Sequence, residues 1–193
     1  MTKQVAILAF DGCHASGVTG PLDLLHMANV VAARLAPGAP PPFATRVLSE
    51  DGASVHAANG YSLPVDGGLS GATAEIVLVP GIAMIEPKAL HAALTRLEPV
   101  SQWLAARYAE GAWLAAACTG PFLLAQAGLL NGHCATTTTC SGEVSDGSRM
   151  RSANRAFPPS VQVSPSSARK AASSSGSARR ARRSASPNGA AVS

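Results

Sequence analysis

Cys118 is the residue whose type and setting point most directly to chemistry. It ends the short apolar run Trp113–Ala117 and is followed by Thr119, Gly120 and Pro121, after which an apolar-periodic segment runs from Phe122 to Leu130. A buried strand that stops at a small nucleophile, turns sharply and opens a helix has this pattern. Gly120 suits the tight turn and Pro121 suits the first turn of a helix. A thiol in that place faces backbone N–H groups, which favour the thiolate. The plain alternative is a buried structural cysteine between a strand and a helix.

Other chemistry-bearing residues are sparse. His14 lies in the polar, small-residue stretch Cys13–Thr19, where it can face Cys118 or stand as a surface histidine. His133 follows the turn Asn131-Gly132 and reads as solvent-facing. Asp11 belongs to the turn that ends the first strand. Asp23 falls near the start of the first expected helix, where it complements the dipole. The four cysteines (Cys13, Cys118, Cys134, Cys140) form no CxxC and no zinc spacing, so they read as reduced thiols, and neither a metal nor a cofactor is expected.

The elements that must position Cys118 read as alternating strands and helices. Val5–Phe10 is a continuous apolar run closed by Asp11-Gly12, a buried strand and its turn. Gly20-Pro21 opens a helix to about Ala36, which the PGAPPP run at 37–42 ends. Phe43–Ser49 reads as a second strand, and Val55–Val65 as a hairpin around Asn59-Gly60. Glu75–Val79 is a buried strand stopped by Pro80-Gly81. Pro87–Glu110 is helical with an interruption at Pro99. This alternation predicts an α/β three-layer sandwich: a mostly parallel sheet with helices on both faces. Ligands in such sheets bind beyond the carboxyl ends of the strands. The loops at 11–19, 80–86 and 118–120 are expected to converge there.

Composition divides the chain. Residues 1–139 hold 6 Lys/Arg and 9 Asp/Glu, net −3, and contain 18 Leu. Residues 140–193 hold 9 Lys/Arg and 2 Asp/Glu, net +7, with 15 Ser and neither Leu nor Ile. The reading is one mildly acidic domain over 1–139 and a disordered basic tail over 140–193. The acidic domain gives no electrostatic case for nucleic-acid binding. The cluster Arg179, Arg180, Arg182, Arg183 could make only weak, salt-sensitive phosphate contacts. The start has too short an apolar run for a signal peptide, and no stretch approaches the roughly 20 residues of a membrane helix, so the cytoplasm is expected.

The run CTGPFLLAQAGLLNGHCATT at 118–137 resembles the nucleophile-elbow region of the ThiJ/PfpI superfamily, with its class I glutamine amidotransferase-like, flavodoxin-like fold. Further landmarks are FDG at 10–12, GPLDLLHMAN at 20–29, EDGASV at 50–55 and VLVPG at 77–81. The opening is similar to the N-terminal, ligand-sensing half of AraC-type (GlxA-like) transcriptional regulators, and the pattern is shared with isonitrile hydratase. The resemblance covers Val5 to about Thr137. It implies that enzymes of the superfamily pair the cysteine with an acid, which isonitrile hydratase-like sequences carry three residues before the Gly-Pro. Here that position is Gly17, and the position matching a histidine found in some members is Thr138. The resemblance therefore implies a non-catalytic sensor of a small metabolite, bound by Gly12, His14, Gly17, Gly81, Ile82, Ala83, Cys118, Thr119 and Gly120, with homodimerisation expected. An isonitrile hydratase-like enzyme using Cys118 is the alternative. The family pattern breaks inside the Ala-Thr-Thr strand. A sheet incomplete at the C-terminus is thus expected, with a bare edge, an out-of-frame tail and no helix-turn-helix for sequence-specific DNA binding.

Overall fold

The computed structural model describes residues 1–83 and 86–131, together with three further strands at 135–137, 150–152 and 160–163. His133, Cys134, Thr138, Cys140 and the Arg179–Arg183 cluster lie outside the described residues.

A six-stranded sheet forms the centre. β1 (Lys3–Leu8) pairs in parallel with β2 (Phe43–Ser49) on one side and β6 (Ile76–Val79) on the other. β2 pairs in parallel with β5 (Gly67–Gly68), and β6 pairs in parallel with β7 (Trp113–Ala117). β10 (Ser160–Val163) runs antiparallel along β7, giving the order β10-β7-β6-β1-β2-β5. β3 (Val55–His56) and β4 (Ser62–Leu63) make the small hairpin the Asn59-Gly60 turn predicts, and β8 (Ala135–Thr137) pairs in parallel with β9 (Met150–Ser152).

Three expectations are corrected. The edge of β7, expected to be bare, is covered by β10. Strands β9 and β10 also fall inside 140–193, read from composition as having no regular element. Ser-Val-Gln-Val at 160–163 does alternate with period 2, but the Ser- and Arg-rich surroundings hide it. Finally, the first helix, α1 (Ala15–Leu35), begins at Ala15, not Gly20, and carries Pro21 inside it.

An interior proline removes one helical hydrogen bond and costs about 3 kcal/mol, so other contacts, one long-range and two local, must hold the early turn. His14 N–H donates to Gly81 O at 2.9 Å, Gly17 N–H to His14 O at 2.9 Å, and the Thr19 hydroxyl to Ala15 O at 3.1 Å. Val18 is buried in the core. The first turn holds no acidic residue, so Asp23 sits exposed in mid-helix rather than at the dipole's positive end.

α1 packs on β1 and β2. α2 (Pro87–Arg96) and α3 (Glu98–Ala109), separated at Leu97 just before Pro99, precede β7, and α4 (Pro121–Gln126) follows it. α3 and α4 pack on β7 and on each other. The β1–β2 and β6–β7 connections step in opposite directions across the sheet. Right-handed crossovers therefore place α1 on one face and α2–α3 on the other. Ile7, Leu8, Leu48, Val77, Leu104, Leu114, Leu123 and Leu124 form the almost fully buried centre. Among the described residues, no helix is long and apolar enough to cross a membrane.

Candidate functional site

β7 delivers Cys118 to the carboxyl end of the sheet, where the backbone reverses into α4. Cys118 has φ 58°, the one non-glycine residue with positive φ among those described. This region is rarely adopted by residues with a side chain, and such strain is expected of a nucleophile on a strand-to-helix turn. The turn is locked from below. The buried Thr119 hydroxyl donates to Ile82 O at 2.6 Å, and Gly120 N–H donates to Ala117 O at 2.8 Å.

Gly120 itself has φ −54°, so its conformation does not require glycine. The requirement is close approach: a Cβ at Gly120 would lie 2.9 Å from each of the carbonyl oxygens of Ala117, Pro80 and Val79.

The three loops expected to converge do so. Beyond His14 N–H to Gly81 O, Ala83 N–H donates to Gly12 O at 3.0 Å, making a short antiparallel bridge between Cys13 and Ile82. The hairpin closes the other side: Gly12 N–H donates to His56 O, Ala58 N–H to Cys13 O, and His56 N–H to the Asp11 carboxylate at 2.7 Å. Asp11 is thereby a tie between loop and hairpin.

Gly81 shows what surrounds the thiol. A Cβ built on it would meet Cys118 Cβ at 2.9 Å, His14 Cδ2 at 3.0 Å and Thr119 Oγ1 at 3.2 Å. His14 and Cys118 thus lie on either side of one glycine, and any side chain at 81 would fill the space between them. His14 is exposed at the N-cap of α1, makes no side-chain cap bond, and can turn its ring toward the half-buried Cys118.

Gly17 is different. Its Cβ position lies 2.9 Å from Pro80 Cβ and 3.3 Å from Pro80 Cα, and Pro80 is fully buried. The place matching the superfamily's acid is therefore occupied by the neighbouring loop, and a carboxylate there would require that loop to move.

Of the nine candidate binding residues, Gly81, His14, Thr119 and Cys118 gather around one point. The amides of Gly12, His14 and Ala83 are spent on loop closure, and that of Gly17 on the first turn of α1. The N–H groups of Ile82 and of Thr119 donate to no described residue. The Thr119–Ile82 bond ties the loop that follows β6 to the thiol turn. α4 has six residues, so its dipole adds little.

Cys13, immediately before His14, is fully buried, and burial pushes its thiol above the usual range. It stays protonated and inert. Among the described residues no group of three or more His, Cys, Asp or Glu could hold a metal.

A cavity of about 330 Å³ at the same end of the sheet was not foreseen. It is lined by Asp11, Glu50, Asp51 and Arg96 among others, and none of the nine candidates belongs to it. Its charged residues come from two separated loops and the end of α2, so no local motif marks them.

The profile of the DJ-1/PfpI family matches residues 3–152, extending past the Thr137 limit read from the motifs. An uncharacterised protein of Streptomyces lividans is 32% identical over 135 residues, covering 69% of this chain and 86% of the relative. Among solved structures, Drosophila melanogaster DJ-1beta matches with TM-score 0.56 and 19% identity, over 71% of this chain and 66% of its own. A proposed transcriptional regulator from Vibrio parahaemolyticus matches with TM-score 0.56 and 22% identity, over 71% of this chain and 67% of its own. A two-domain protein from Anabaena variabilis with DJ-1/ThiJ/PfpI-like and ferritin-like domains matches with TM-score 0.54 and 23% identity. It covers 70% of this chain and 35% of that one, so this chain spans about a third to two thirds of these solved relatives. At these identities the structures speak for the fold alone, while the profile runs through the central parallel strands and the thiol turn together: the chain belongs to the DJ-1/PfpI family.

Proposed function

We propose that this chain is a small-molecule-sensing domain of the kind found in AraC-type regulators, and that it binds a small polar or anionic metabolite beside Cys118 without turning it over. The observation that carries this reading is Gly17 against Pro80. The acid that would manage protons for a catalytic thiol is absent, and its place is taken. General acid–base help typically contributes 10²–10⁴-fold, so its loss is severe for an enzyme and immaterial for a binder. Backbone N–H groups of the loop after β6 and of the thiol turn, which Thr119 and Ile82 tie together, would supply polar recognition without further machinery. In a longer regulator, occupancy would act on a DNA-binding part through different affinities in two states.

A second reading has its own support: His14 across Gly81 from Cys118 could accept the thiol proton in an isonitrile hydratase-like or other hydrolytic enzyme.

The test is a thermal-shift screen of small carboxylates, amides and isonitriles, with product formation measured in parallel. A ligand at about 100 times its Kd stabilises by about 2.7 kcal/mol, or roughly 5–10 °C for a chain of this size. Saturable stabilisation without product is expected. Turnover that disappears in Cys118→Ala would overturn the sensor and establish the enzyme.

A further inference from the structure

The cavity bordered by Asp11 and Arg96 has no residue in common with the surroundings of the thiol. Its floor is buried and apolar, made by Phe10 at the end of β1, Val55 of β3 and Leu97 just beyond α2. Its rim is charged and exposed. Asp11, Glu50 and Asp51 come from the loops after β1 and β2, and Arg96 from the last turn of α2. Two of the acids are set in place by their own loops. Asp11 Oδ1 accepts from His56 N–H at 2.7 Å, and Asp51 Oδ1 from Ala53 N–H at 2.9 Å. The Ser49 hydroxyl donates to Ala53 O at 2.8 Å and accepts from Gly52 N–H at 3.1 Å. The sequence landmark at 50–55 is thus a fixed edge of this cavity. Glu50 and Arg96 border it too, yet among the described residues neither makes a side-chain hydrogen bond or an ion pair. Opposite charges that face one cavity but stay more than 4.0 Å apart leave room for a molecule that meets both.

Elimination narrows the occupant. Among the described residues no three acids are grouped so as to hold one metal ion. A simple anion would have one cation to meet it and three carboxylates to oppose it. A simple amine would satisfy the acids but leave Arg96 facing it with like charge. An α-amino acid carries both charges on one carbon and leaves the apolar floor uncovered. We propose that the cavity binds an ω-amino carboxylate: its ammonium among Asp11, Glu50 and Asp51, its carboxylate on Arg96, and its methylene chain on Phe10, Val55 and Leu97. The guanidinium takes a carboxylate through two parallel N–H donors. An ammonium has three donors to share among the acids. The cavity's volume of about 330 Å³ is at the lower end of the roughly 300–1,000 Å³ of small-molecule sites, which suits a chain of a few methylenes. This second site does not rest on the reading of the thiol site.

The test is isothermal titration calorimetry of the full chain with γ-aminobutyrate and δ-aminovalerate, against α-aminobutyrate, n-butylamine, butyrate and putrescine. Saturable binding of at least one of the first two is expected, about tenfold or more tighter than any of the other four, the loss that follows one missing charge-assisted hydrogen bond. Arg96→Gln should erase the advantage over n-butylamine, and Glu50→Gln should reduce the advantage over butyrate. Both side chains are exposed and unpartnered, so the circular dichroism spectrum should match the parent's in each variant. Cys118→Ala should leave this binding intact, and its loss there would place the molecule beside the thiol and overturn the proposal. No binding of either ω-amino acid, equal or tighter binding of n-butylamine or putrescine, or indifference to Arg96→Gln overturns it as well.

Discussion

Replacing Gly120 by alanine tests the close packing under Cys118 more sharply than any change at the thiol itself. The backbone at 120 has φ −54° and ψ −31°, which alanine adopts freely. Any penalty is therefore steric. The new methyl carbon would sit 2.9 Å from the carbonyl oxygens of Val79, Pro80 and Ala117, all backbone atoms that cannot swing aside. Forcing a methyl group into a packed site costs about 1–3 kcal/mol. Restricting the unfolded chain returns about 0.4–1 kcal/mol. At mid-range the net loss is about 1.3 kcal/mol, or roughly 3–5 °C in Tm at 2–4 °C per kcal/mol. Gly120→Val adds two further carbons against the same oxygens and should take a larger part of a typical margin of about 5–15 kcal/mol. Urea denaturation of parent, alanine and valine forms gives the differences directly. Iodoacetamide alkylation of Cys118 gives a second readout, since any shift of the β6 end disturbs the Thr119–Ile82 bond. If Gly120→Ala melts within about 1 °C of the parent, the methyl finds room and the steric argument built on these contacts is wrong.

Cys118→Ala should fold as the parent does and relieve backbone strain at φ 58° only partly, since alanine also disfavours that region; a collapse in Tm would show the thiol to be structural. His14→Gln should change the rate of Cys118 alkylation at fixed pH, because the ring lies across Gly81 from the thiol, and an identical rate would remove the imidazole from the thiol's surroundings. Gly17→Asp should not create an enzyme, because its Cβ meets Pro80; it should lower Tm instead, and gain of isonitrile turnover would refute the occupied-site argument. For Cys13, burial raises the folded-state thiol above its unfolded value. Its contribution is complete below the unfolded pKa of about 8.5 and is lost as pH rises through the folded value, so the parent should lose stability in alkali more steeply than Cys13→Ala; parallel curves would count against this.

Much of the framework is local and was legible. The strands at β1, β2, β6 and β7 are apolar runs punctuated by Gly, Pro and Asp, and the turn at 118–121 places a small nucleophile before Gly-Pro. Both are written in consecutive residues, as is the Asn-Gly hairpin. What tertiary structure alone decided depends on residues far apart in the chain. α1 begins at Ala15 despite Pro21 because Gly81, some seventy residues away, accepts from His14. Gly17 reads in sequence as a missing acid; only the fold shows Pro80 filling the place. His14 reads in sequence as facing either Cys118 or solvent; only the fold places it across Gly81 from the thiol. β10 reads as tail until it pairs with β7. Local propensity sets which segments are strands and helices, but free amides, filled spaces and neighbouring side chains are set by loop closures that no short window of sequence contains.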